Sequence, residues 1–181
     1  MKAWSILIFA ALLSACGKAA DLEAITQGFA ERNDSFKRLY SMIQEDTKIP
    51  SCFAVGLDHI GDYWAYKNKW SSSHNYERKI TLELVLKEVG ISNERYQEYL
   101  TLFKKTGSER IEYCSEKVEY RPDMPSWARI LVHRSGLAVS GCSTAINKNG
   151  DGSIPATEVK PGYSRKIRPL GEGWYLNHDC T

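Results

Sequence analysis

Past residue 17 the chain has no apolar stretch approaching the roughly 20 residues that cross a bilayer as a helix, so nothing after the N-terminus reads as a membrane span. It has little excess charge either. Lys and Arg number 24 against 22 Asp and Glu, a formal net charge of +2, and this near balance leaves no electrostatic case for nucleic acid or for a strongly acidic partner. Histidine is sparse, and the four residues His59, His74, His133 and His178 are scattered. No nucleophile elbow, phosphate-binding glycine loop, zinc-protease helix or dinucleotide fingerprint occurs, which argues against an enzyme. An envelope hydrolase stays open as an alternative on two small groupings. Asp58, His59 and Asp62 put two carboxylates and an imidazole within five residues, the raw material of acid and base work. His178 and Asp179 stand together beside Cys180, although adjacent strand residues point to opposite faces.

What is present begins with the leader, MKAWSILIFAALLSACG. Lys2 supplies a short positive start, Trp4 to Leu13 an apolar run, and small residues stand just before Cys16. That order is a secretory signal, too short to span. Leu13-Ser14-Ala15-Cys16 resembles the lipobox of bacterial lipoproteins. The resemblance implies cleavage before Cys16, a diacylglyceryl thioether on its sulfur and an acyl chain such as palmitate on its new N-terminus. Several acyl chains give stable anchoring where one gives only reversible binding. In that family an aspartate after the cysteine marks retention at the inner membrane; here the residue is Gly17, which implies the outer membrane, facing the periplasm. Residues 1–15 are then signal peptide and residues 16–20 a lipidated tether.

The other cysteines, Cys52, Cys114, Cys142 and Cys180, are even in number. In a secreted chain this reads as two disulfides, with three pairings possible. The first two lie in a stretch with helical patterning and the last two in a stretch with strand patterning, which favours Cys52 with Cys114 and Cys142 with Cys180. A zinc site is the rival, but the close Cys-x-x-Cys or His pairs of such sites are missing.

Asp21 is placed to cap a long amphipathic helix in which Leu22, Ile25, Phe29, Phe36, Leu39, Tyr40 and Ile43 recur at helical steps. From Pro50 to Ser73 periodicity disappears among glycines and serines while aromatics accumulate, which reads as a structured loop. Its Tyr63, Trp64, Tyr66 and Trp70 offer large rigid faces for a sugar or a protein interface, or else roof the core. Residues 76–105 read as a helix pair, with Gly90 ending the first helix and Ser92 capping the second. Residues 109–121 are ambiguous between strand and helical turn. After Pro122 and Pro125 the pattern alternates, with hairpins over 129–139 and 165–176. Arg165, Lys166 and Arg168 give one strand a cationic side, either for an acidic ligand or to keep an edge soluble. The expected fold is α+β: an N-terminal helical layer over residues 21–121 followed by a small C-terminal antiparallel sheet over residues 126–181, tied by disulfides as one cooperative unit.

Between the hairpins lies NKNGDGSIPATE, which resembles the EF-hand calcium loop over its twelve positions. The resemblance implies Asn147, Asn149, Asp151, the Ser153 carbonyl and the bidentate Glu158 as ligands to Ca2+. Only two of these carry charge, so the implied site is of the weak extracellular kind, roughly 0.1–1 mM. Asn-Gly and Asp-Gly are also what a tight turn needs, and the plain turn stays open beside the metal site.

The functional expectation is a lipid-anchored, non-catalytic module that binds another protein in the periplasm, as neutralisers such as immunity or exclusion lipoproteins do. The alternative is an envelope-maintenance protein that binds glycan or peptidoglycan through Tyr63, Trp64, Tyr66 and Trp70.

Overall fold

The computed structural model describes residues 19–49, 51–67, 69–119, 123–137 and 140–181. The expected leader, the expected lipidation site Cys16, Pro122 of the expected boundary and Ala138-Val139 of the first expected hairpin lie outside the described residues. Among the described residues no helix is long and apolar enough to cross a membrane.

The expected helical layer followed by a small sheet is overturned. Strand makes up 42% of the described residues and helix 30%, and these strands form one antiparallel sheet of eleven. The chain begins with α1 (Leu22–Glu31) and α2 (Asn33–Asp46), then five short strands: β1 (Cys52–Gly56), β2 (His59–Ile60), β3 (Tyr63–Tyr66), β4 (Lys69–Ser72) and β5 (Asn75–Ile80). Next come α3 (Leu82–Val89), α4 (Asn93–Thr106) and β6 (Arg110–Cys114). The C-terminal part adds β7 (Trp127–Leu137), β8 (Ser140–Asn149), β9 (Glu158–Lys160), β10 (Tyr163–Gly171) and β11 (Trp174–Cys180). Spatial order is β5-β4-β3-β2-β1-β6-β7-β8-β11-β10-β9. The β6–β7 pairing joins the two parts in one sheet.

The expected loop over 50–73 is therefore a meander of strands, and residues 76–80, expected in a helix, belong to edge strand β5. The pairing Val55 with Ile60 leads into a turn at Gly61, whose φ of +54° suits glycine. A Cβ there would also stand 3.1 Å from the Phe53 ring. The expected single N-terminal helix breaks at Arg32, whose backbone leaves helical geometry and whose Nε donates to the Gly28 carbonyl at 2.9 Å. The break brings Phe29 and Phe36 together at 5.2 Å between ring centroids. Asp21, Thr81 and Ser92 cap α1, α3 and α4 through side-chain oxygens, and Gly90 ends α3 in the left-handed conformation.

All four helices among the described residues pack on one face of the sheet. Phe36, Leu39, Met42 and Ile43 of α2, Val85 of α3 and Tyr99 and Phe103 of α4 bury against Val55, Ile111, Ile130, Ile146, Trp174 and Leu176. Each such burial contributes about 1.5–3 kcal/mol. Arg95 and Asp46 pin α4 to α2: Nε donates to Asp46 Oδ2 at 2.9 Å, Nη2 to Glu45 Oε2 at 2.8 Å, and the Tyr99 hydroxyl donates to the same Asp46 oxygen at 2.7 Å.

Candidate functional site

Because strand side chains alternate, the residues between the core-facing ones emerge on the face that none of the described helices covers. Register lines them up in rows. Ala54, Glu112, Arg129, Asn147 and Tyr175 stand side by side across β1, β6, β7, β8 and β11. Gly56, Arg110, Leu131, Ala145 and Asn177 form the next row, and Cys52, Cys114, Trp127 and Asn149 the row on the other side.

The charges on this face are paired among themselves. Arg110 Nη2 lies 2.8 Å from Glu112 Oε1, and Arg129 Nη1 lies 3.8 Å from Glu112 Oε2 while its Nη2 donates to Ser143 Oγ at 3.1 Å. Gly56 has no side chain to obstruct Arg110, whose Cβ and Cγ pass 3.0 Å from where a Cβ would be. Arg110 thereby reaches His59, donating from Nη1 to Nδ1 at 3.2 Å. The other ring nitrogen of His59 donates to the Gly61 carbonyl, and the ring stacks on Trp64 at 3.8 Å between centroids. Burial, helped by Arg110, pushes the His59 pKa below the ordinary histidine value, against the pull of the Gly61 carbonyl. Further along, Asp179 accepts from Arg165 Nε at 3.1 Å, from the Tyr163 hydroxyl at 3.1 Å and from Asn177 Nδ2 at 2.6 Å. That carboxylate raises the pKa of Arg165, and burial together with Asp179 raises that of Tyr163.

Two clefts open beside these rows and share Trp127 as a wall. The larger, about 540 Å³, runs past Phe53, His59, Tyr63, Glu88 and Glu112. The smaller, about 390 Å³, has Arg129, Asn147, Tyr175 and Asn177 along it, between Met124-Pro125 and the stretch from Ser153 to Pro155. Among the described residues, four buried polar atoms of this face have no hydrogen-bond partner: Trp127 Nε1, Asn147 Oδ1, Asn177 Oδ1 and Arg110 Nε. Leaving such an atom unpartnered costs about 1–3 kcal/mol.

The four aromatics expected to act together are divided between the faces. Trp70 is 6% exposed within the core, and Tyr63 packs against that core with its hydroxyl donating to Glu88. Trp64, 41% exposed, and Tyr66, 72% exposed, lie on the open side. Around the calcium-like segment, Asn147 is a buried residue of β8 and Asn149 ends that strand. Asn149 Nδ2 donates to the Ser153 carbonyl at 2.8 Å, and Asp151 Oδ1 accepts the Ser153 N–H at 2.9 Å. Glu158 starts β9 and lies 3.2 Å from Lys160. These groups are engaged with one another and with strand partners.

Cys52 is bonded to Cys114 and Cys142 to Cys180. Both bonds join residues directly opposite each other on neighbouring strands, so Cys52 and Cys114 are not in a helical region as expected. His178 accepts or donates at Thr144 Oγ1 over 2.8 Å, and its Nε2 is 3.2 Å from Cys180 Sγ. Among the described residues, Cys142, His178 and Cys180 form the compact cluster of metal-ligating types, and two of the three are held in the disulfide. Asp58 pairs with Arg134 at 3.4 Å while His59 turns to Arg110. Arg110, Glu112, Trp127, Arg129 and Asn177 were not singled out in the sequence. The signal was the alternation in Arg110-Ile111-Glu112-Tyr113 and Trp127-Ala128-Arg129-Ile130, where every second residue is polar or amphipathic.

Comparison with family models, with curated proteins and with solved structures finds no match.

Proposed function

We propose that this chain is a lipid-anchored, periplasm-facing binding protein that acts without catalysis, holding another protein against the open face of its sheet as a neutraliser of the immunity or exclusion type. The supporting observation is the one-sided construction. The helices all pack on one face, and the other presents exposed Trp64 and Tyr66 beside the internally paired His59, Arg110, Glu112 and Arg129. Aromatics next to arginines that share a carboxylate are the composition of a protein-binding patch. Paired charges also cost a partner less to cover than lone ones.

Affinity purification of the lipidated protein from its native envelope, without reductant, tests this reading. One stoichiometric protein partner is the expected result, retained by the parent and lost from the Trp64→Ala, Tyr66→Ala double variant. Recovery with no discrete protein, or retention of the partner by the double variant, would overturn the assigned surface. The anchor is checked separately by intact mass, where an unmodified Cys16 contradicts it.

A further inference from the structure

We propose that the smaller cleft, framed by Trp127, Asn147, Tyr175 and Asn177, is a binding site for a neutral saccharide, separate from the exposed Trp64 and Tyr66 and meeting the partner-binding patch only at Arg129. Its volume of about 390 Å³ falls within the range of small-ligand pockets, roughly 300–1,000 Å³. Its chemistry selects the class of ligand. Each guanidinium on it already has partners: Arg165 pairs with Asp179, and Arg129 shares Glu112 with Arg110 while donating to Ser143 Oγ. What remains unanswered is neutral: the carbonyl oxygens of Asn147 and Asn177 and the indole N–H of Trp127.

Two acceptors and one donor, set among flat apolar surfaces, match a pyranose. Its hydroxyls both donate and accept, and its C–H faces lie against aromatic rings and proline. Trp127, Tyr175, Pro125 and Pro155 provide those surfaces. Asn147 is 8% exposed, so rotation of its amide is the movement by which its oxygen meets a ligand hydroxyl. The Asn177 amide is held by its Nδ2, which donates to Asp179 at 2.6 Å, and its oxygen, buried and unpartnered like that of Asn147, needs a similar small movement to meet a ligand hydroxyl.

The calcium-like segment gains a role here. Asn149 accepts from the Tyr175 hydroxyl at 3.3 Å and donates to the Ser153 carbonyl at 2.8 Å. It therefore braces the wall that contains Ser153 and Pro155 against the cleft floor.

Titration calorimetry of the disulfide-intact chain with chitotriose and, separately, with maltotriose tests the proposal. Binding of at least one trisaccharide is expected, weakened about tenfold or more by Trp127→Ala and by Asn177→Ala and unchanged by Trp64→Ala. Binding of chitotriose alone assigns the site to N-acetylated glycan of the cell-wall type; binding of both assigns it to neutral sugars generally. No heat from either up to about 10 mM overturns the proposal, as does binding untouched by both cleft variants or abolished by Trp64→Ala. Should Trp127→Ala lose its native near-ultraviolet spectrum, the indole N–H resonance of Trp127 in the unmodified chain replaces it. That resonance must shift on saturation, and a saccharide response confined to other tryptophans counts against the cleft.

Discussion

The two faces of this sheet are built from the same strands, yet they solve opposite problems. On the covered face Ile111, Ile130, Ile146, Trp174 and Leu176 are almost fully buried beneath the helices. One residue along, on the open face, Glu112, Arg129, Asn147 and Asn177 carry charge and amides, and buried polar atoms go unpartnered. The covered face spends its surface on burial and the open face keeps unused hydrogen-bonding capacity. A shift of register by one residue would exchange the two sets, so the face that stabilises and the face proposed to bind are specified together.

The largest test of this contrast is Trp174→Ala. Trp174 is 1% exposed, with the Phe29 and Tyr40 rings each 5.6 Å away, so the expected loss is about 3–5 kcal/mol in denaturant unfolding; a loss under about 1 kcal/mol would contradict the packing described. The disulfides come next, one on each face. Replacing Cys142 and Cys180 with alanine is expected to cost about 2–5 kcal/mol. Replacing Cys52 and Cys114 should cost a few tenths more, because its sequence separation is 62 against 38. The reverse order would mean that contacts of the faces, not loop length, decide the difference.

Asp46→Ala should cost about 1–3 kcal/mol by removing the acceptor shared by Arg95 and Tyr99. Restoration by Asp46→Asn should be partial, since the amide keeps a carbonyl but loses the charge. A smaller effect is expected from pH. Burial holds the pKa of both His59 and His178 below the ordinary value, about 6.5 in model peptides. A folded-state pKa that is depressed means the unfolded chain binds the proton more readily. The stability these groups contribute is present above that value and is lost as pH falls through the lower folded values. The melting temperature should drop on acidification from neutrality, less steeply in His59→Gln; an unchanged slope in that variant would remove His59 from the account. Smallest of all, Trp64→Ala and Tyr66→Ala should move stability by no more than about 0.5 kcal/mol while abolishing partner retention, which separates the roles of the two faces.

The caps and stripes of the helices were legible because each rests on local chemistry: Asp21, Gly90 and Ser92 act within a turn of where they stand. The C-terminal hairpins were legible for the same reason. The five strands from Cys52 to Ile80 were not. In Tyr63-Trp64-Ala65-Tyr66 aromatics point to both faces, so no alternation shows, and β5 is an exposed edge strand whose polar residues carry no periodicity. β2 to β5 each pair with the strand before them, but the meander joins the rest of the sheet only through β1 and its partner β6, which lies beyond α3 and α4, and single-residue patterns contain no record of that partner. The candidate site suffered doubly, since Glu112, Arg129, Asn147 and Tyr175 come from four strands and meet only through register.

That dependence gives the two disulfides a second meaning. Cys52 faces Cys114 and Cys142 faces Cys180 across paired strands, so each bond can close within the native alignment but not between strands slid past one another. Oxidation is then a record of correct alignment: a chain that emerges extended and pairs β1 with β6 one step out cannot keep that error once its thiols are joined as found here. The compartment that supplies the oxidant would in this way also proofread which rows of side chains come to lie beside each other.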